Sequence, residues 1–212
     1  MQVPSAETTL RATLTKLKRY GILMESHPNL PSVATIVAGE PVRGSWWGHI
    51  QGHEIFCVAE QMASHPDVVI TKLVSKRVTY VHRKLWPAIV AVGSAHENWQ
   101  LSGLSPTARE LLALVDKTGR IRTDRIRIKR SLKEKSVADA TRELEVRLLV
   151  HSREIHTERG AHAKVLQTWK VWIGEAGLTT KKMLPEHAKR RLEKVLADLN
   201  SRFDAEGCLP WN

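Results

Sequence analysis

Cysteine is scarce in this chain. Cys57 and Cys208 are the only two among 212 residues, they lie far apart, and they sit on different kinds of segment. Neither a disulfide framework nor a cysteine metal site fits that usage, and a reducing cytoplasm is the expected setting. Long apolar runs are missing too. None approaches the roughly 18 to 20 residues of a membrane span, and the opening MQVPSAETT lacks a signal-peptide core, so no membrane partner and no export are expected. There is no phosphate-binding loop, dinucleotide fingerprint or paired-cysteine motif, which argues against nucleotide hydrolysis and redox chemistry and implies no cofactor. His49, His53 and Glu54 do not take the H-E-x-x-H spacing, so no metal is expected, and Ser45 is not set within G-x-S-x-G. Internal repeats of fixed period and low-complexity segments are also absent.

What the chain does have is positive charge. Lys and Arg number 33 against 22 Asp and Glu, a formal net charge of +11. That balance favours a polyanionic partner, nucleic acid before an anionic membrane, because no basic helix carries a broad apolar face. Acidic proteins remain open as partners. A hydrophobic content of 42% suffices for real cores in one large or two small domains. A boundary near Gly103 is expected, giving an N-terminal helical domain with a β-hairpin over 1–103 and a second domain over 104–212.

Leu10, Leu14 and Leu17 predict a helix from about Ala6 to Tyr20, stopped by Gly21. Ser32 caps a short helix through Ala38. Ile55, Val58, Ala59 and Met62 mark a helix from His53 to Ser64. Val68 to Val74 and Arg77 to His82 are β-rich runs joined by Ser75-Lys76, and with the preceding helix they resemble half of a winged unit. Arg83 to Ser94 reads as a helix and His96 to Gly103 as a polar linker.

The second half opens on Ser105-Pro106, an N-cap and first-turn proline, with Ala108, Leu111, Leu112 and Val115 on one face until Gly119. GRIRTDRIRIKRSLKEK reads as a short strand into Thr123 and then a short helix. Val137, Ala140, Leu144 and Leu148 mark a further helix capped by Ser136, in the position of a recognition helix. Leu149 to Thr157 alternates as a strand, Arg159-Gly160 turns, and Ala161 to Val165 returns, as a wing does. Leu166 to Ala176 and Pro185 to Phe203 are expected to be helical. Between Lys117 and Arg147 there are eleven Lys or Arg against five Asp or Glu. Lys129, Arg130, Lys133, Lys135 and Arg142, with Arg159, His162 and Lys164 of the wing, are therefore candidate DNA contacts.

Chemistry concentrates in GSWWGHIQGHE, residues 44–54, which packs two indoles, two imidazoles, a carboxylate and three glycines into eleven residues. Trp46 and Trp47 offer stacking faces for a displaced base. His49, His53 and Glu54 are candidates to position water or move a proton. The competing reading has the tryptophans plugging a seam while the histidines satisfy backbone groups.

The segments ARELLALVDKTGRIRTDRI and ELEVRLLVHSREIHTERGAHAKVLQTW resemble winged helix-turn-helix proteins and, more loosely, the bacterial winged-helix DNA glycosylases. That resemblance implies an α+β, mostly helical fold of winged helix-turn-helix units with β-hairpin wings. It also implies excision of alkylated or crosslinked bases through a Gln-apolar-Gln motif, of which the nearest stretch here is Gln51-Gly52-His53. The expected protein is a nucleoid-associated repair or base-processing enzyme acting on damaged or distorted double-stranded DNA. A non-enzymatic transcription regulator is the alternative, and an adaptor that meets RNA or protein a third reading.

Overall fold

The computed structural model describes residues 6–126, 134–157, 160, 162–178 and 183–212. By its internal contacts the chain divides into two compact units. One comprises Met1–Trp86, Lys189–Pro210 and Asn212, the other Pro87–Ala188 and Trp211. The fold is α+β and mostly helical, with two small antiparallel sheets.

In the first unit, α1 (Ala6–Tyr20) buries Leu17 completely and packs Leu10 and Leu14 against the core. It stops at Gly21, whose φ of +85° is the left-handed conformation that glycine adopts without a Cβ penalty, and whose N–H donates to the Leu17 carbonyl at 2.7 Å. β1 (Ile22–Met24) and α2 (Val33–Ala38) follow, the Ser32 hydroxyl accepting from the Thr35 N–H at 3.1 Å. α3 (Gly52–Ala63) buries Ile55, Val58, Ala59 and Met62, the stripe that its periodicity predicts. β2 (Val68–Val74) and β3 (Arg77–His82) form the predicted hairpin, with β3 in the middle of the order β1-β3-β2. Ser75 and Lys76 both take positive φ, 50° and 58°, the geometry of a tight two-residue hairpin turn. The chain's end steadies them: the Ser75 N–H donates to the Cys208 carbonyl at 2.8 Å.

α4 (Trp86–Gly93) leads into α5 (Asn98–Leu101), α6 (Pro106–Thr118), β4 (Arg120–Arg122), α7 (Glu134–Val146), β5 (His151–His156), β6 (His162–Gln167), α8 (Trp169–Glu175) and α9 (Pro185–Phe203). α6, β4, α7, β5 and β6 repeat in outline the order of the first unit. The sheet order β4-β6-β5 again puts the last strand between the other two. Leu111, Leu112 and Val115 of α6 meet Ala140 and Leu144 of α7 and Leu166 of β6 in one core.

Four details differ from the sequence pattern. The stretch expected as a polar linker holds α5, closed by a capping box between Glu97 and Gln100 and tied down by Arg147, whose guanidinium donates to the carbonyls of Trp99, Gln100 and Ser102. α7 begins two residues before Ser136, which is therefore not its cap. Leu148 lies beyond α7 in a left-handed conformation, φ 55°, where the chain turns toward β5. Leu166 belongs to β6, and α8 starts only after Thr168, whose hydroxyl accepts from the Val171 N–H at 3.3 Å. Where a short helix is expected after the strand, Thr123–Arg125 form a single 3-10 turn, and 127–133 lie outside the described residues.

Trp169 is the largest side chain sealed into the second unit. Its indole N–H donates to the Leu148 carbonyl at 2.6 Å, and Gly93 makes room for the ring: a Cβ there would lie 2.2 Å from Nε1. His151 stacks on Trp172 at 5.2 Å and meets Trp169 edge-on at 5.7 Å. Its Nδ1 is buried with no hydrogen-bond partner among the described residues, and burial pushes the imidazole down to about 4, with Arg153 pushing the same way and Glu145 against.

Two outcomes follow from this packing. Gly93→Ala drives a methyl into the Trp169 ring and costs about 3 kcal/mol, read as a lower urea midpoint at unchanged slope. His151 is neutral when folded and protonates near pH 6.5 when unfolded, so its contribution is complete above that pH and is lost as pH falls toward 4. At roughly 1.4 kcal/mol per pKa unit the loss is about 3 kcal/mol, and His151→Gln should flatten that part of the stability profile.

Candidate functional site

The segment 44–54 folds as a single 3-10 turn, Trp46–Gly48, running into α3. Because a 3-10 turn rotates successive side chains by about 120°, two adjacent tryptophans cannot share one environment. Trp46 faces the core and is 7% exposed, whereas Trp47 is 64% exposed. Their rings stack at 4.2 Å with 23° between planes, so the buried indole supports the exposed one from behind. Gly52 permits the close approach of α3 to this turn: a Cβ there would lie 3.0 Å from the carbonyl oxygens of both Trp46 and Trp47.

Phe56, one turn into α3 and 39% exposed, lies 5.4 Å from Trp47. Sequence reasoning missed it, although its place on α3, off the buried stripe and three residues after His53, marks it as outward-facing. Trp47 and Phe56 thus make an exposed aromatic pair, and Ile50, between the turn and α3 in sequence, is almost fully exposed.

The candidate acid-base groups separate by what their atoms already do. The Nδ1 of His49 accepts the Gln51 N–H at 3.2 Å, which puts the proton of the neutral ring on Nε2, 3.7 Å from the Glu40 carboxylate. Neutral His49 therefore has no lone pair left for water and acts as a turn-forming group. Gln51 is the residue preceding the first turn of α3, and its side chain makes no cap hydrogen bond. His53 is exposed, both ring nitrogens within 3.9 Å of the Cys57 sulfur one turn on. Glu54 is half-buried in the first turn of α3, where the helix dipole favours a carboxylate. His53, against the Cys57 thiol, and Glu54 are thus the acid-base groups of this stretch that do not serve the turn itself.

In the second unit Arg142 is exposed on α7. His162 is exposed on β6, its ring 4.8 Å from that of its cross-strand partner His156. Lys164 is engaged internally: its ammonium donates at 2.5 Å to the buried carboxylate of Glu145, which also accepts from the Ser152 hydroxyl at 2.6 Å. Lys135 lies in the first turn of α7, and its side chain is outside the described atoms. Lys129, Arg130, Lys133 and Arg159 lie outside the described residues. Among those described, no three His, Cys, Asp or Glu side chains gather to hold a metal ion, and no helix is long and apolar enough to cross a membrane.

The two tryptophans should separate in stability measurements. Trp46→Ala empties a core site and costs about 3 to 5 kcal/mol, while Trp47→Ala costs under about 1 kcal/mol, both read by urea denaturation.

Among known proteins, no curated protein and no solved structure matches this chain. A family model described as "AlkZ related" matches residues 8–207, nearly the full length. AlkZ is a DNA-repair glycosylase-like protein, which gives the match a link to DNA repair. The chain belongs to the AlkZ-related family.

Proposed function

We propose that this protein binds damaged or distorted duplex DNA and releases a base from it, as a DNA glycosylase-like repair enzyme. The observation that carries the reading is Trp47, an exposed indole held rigid by stacking on the buried Trp46, at the start of the helix that bears His53 and Glu54. A protein that acts on a base must take it out of the stack, and a fixed aromatic face costs little to present to it. Family membership supports the repair context. The element order shared by both units, with matching sheet orders, supports two winged helix-turn-helix units whose wings are the β2–β3 and β5–β6 hairpins. The net charge of +11 suits a phosphate backbone.

In this mechanism the displaced base stacks on Trp47 and against Phe56. The C1′–N bond breaks as the base leaves with the bonding pair, which is easiest for an alkylated, cationic base. Glu54 takes a proton from the water that attacks C1′, and His53 orients that water. His49 and Gln51 hold the turn in shape. On the DNA, Arg142 and His162 contact phosphates from the second unit.

Electrophoretic binding on intact, mismatched, uracil-containing, alkylated and abasic duplexes, followed by alkali to reveal released bases as strand breaks, tests this. The wild type should prefer an alkylated or abasic duplex by about 10-fold or more. Trp47→Ala should remove that preference, and Glu54→Gln should slow base release by about 100-fold or more. Equal binding to every duplex, with no strand breaks in any that started with all its bases, would sink the proposal. A preference of orders of magnitude for one intact sequence would point instead to a transcription regulator.

A further inference from the structure

Another part of the first unit gathers cations around the end of α1. Lys84, just after β3, donates its ammonium to the carbonyls of Lys18 at 2.6 Å and Arg19 at 3.1 Å, which the end of α1 would otherwise leave to solvent. Gly21 admits that side chain, since a Cβ there would lie 2.9 Å from Lys84 Cε. On α9, Arg191 donates to the Lys84 carbonyl at 2.8 Å. Arg19 and Arg202 each reach the Tyr20 ring, at 5.6 and 5.8 Å, and Phe203 meets that ring edge-on at 5.5 Å.

Carboxylates answer only part of this charge. Asp67 holds Arg83 at 2.9 Å and Asp198 reaches Arg202 at 3.6 Å, but among the described residues Lys18, Arg19, Lys84 and Arg191 have no acidic partner. Such groups repel one another and would disperse if the side chains were loose. Here backbone carbonyls and an aromatic ring pin them instead. The local field is strong enough to act on neighbours: Lys84 is held below the usual lysine range by burial and then by Arg191. The imidazole of His82 is lowered by burial, with Lys84, Lys18 and Arg83 adding to the effect and Asp67 opposing it.

We infer that this cluster is a second DNA-binding surface, on which Lys18, Arg19, Lys84, Arg191 and Arg202 hold the phosphate backbone of duplex DNA away from the base being processed. The inference rests on the DNA-binding reading above. Lys18, Arg19, Lys84, Arg191 and Arg202 are all exposed, so they offer an open surface that suits an extended polyanion better than a small enclosed anion. Guanidinium groups fixed by stacking and hydrogen bonding also match phosphate oxygens two at a time. Contacts of this kind add affinity without reading sequence or lesion.

The test compares the wild type with Arg19→Gln/Arg191→Gln/Arg202→Gln on intact and abasic duplexes across a salt series. The triple variant should bind both at least about 10-fold more weakly at low salt, keep the ratio between them, and lose about 2 to 3 from the slope of log affinity against log salt, since each phosphate contact contributes about 0.9. Lys18→Gln/Arg19→Gln, which removes no side-chain hydrogen bond, should lose about 2 even if the triple variant folds poorly. A charge-matched control, Arg11→Gln/Lys16→Gln/Arg109→Gln, should keep the wild-type slope within about 1. Unchanged slopes in both cluster variants while the wild type binds overturn the second surface alone. An equal loss in the control also overturns it, by reducing the effect to net charge. A wild type that binds no duplex overturns this surface together with the function proposed above.

Discussion

The candidate site depends on the seating of Trp46. With its ring in the core that also holds Val42, Ile55 and Val58, the turn that carries it is anchored, and Trp47 faces outward. Gly52 completes the constraint, because any side chain there would press on the carbonyls of the turn. An exposed tryptophan on a mobile loop would lose conformational freedom on meeting a ligand. One backed by a buried partner at 4.2 Å has already lost it in folding.

The histidines of the first half show how hydrogen bonding narrows chemistry. His27, His49, His65 and His82 each use Nδ1 to accept the backbone N–H two residues on, at 3.1 to 3.2 Å. An imidazole in that role does what an Asn or Asp side chain does in a turn. His53 escapes it because it lies inside α3, where backbone N–H groups bond along the helix. A cluster that looks catalytic in sequence therefore resolves into turn-forming histidines and one outward-facing ring beside Glu54.

Periodicity made much of the fold legible. α1, α2, α3, α6 and α9 and both strands of the first hairpin fall within a residue or so of where the apolar spacing and caps place them, since each buries one continuous stripe. Elements held by distant residues were harder to read. Ser75-Lys76 lacks the glycine that a two-residue turn favours and is steadied by Cys208, 133 residues away. α5 is four residues long and is tied by Arg147. Within the site, the sequence offered Trp46 and Trp47 as equals, and only the rotation of the 3-10 turn tells them apart. It also offered Lys164 as a phosphate contact, and nothing in its strand pattern announces the bond its ammonium makes to the buried Glu145 carboxylate of α7.

The most direct measurement of the central claim is an NMR titration following the indole N–H signals while a duplex carrying an abasic site is added. The signal of Trp47 should shift and saturate with the duplex. Those of Trp86 and Trp169, whose N–H groups are bonded to the carbonyls of Val81 and Leu148, should stay in place. Saturable binding that leaves the Trp47 signal unmoved would contradict the assignment of this indole as the surface that meets the base.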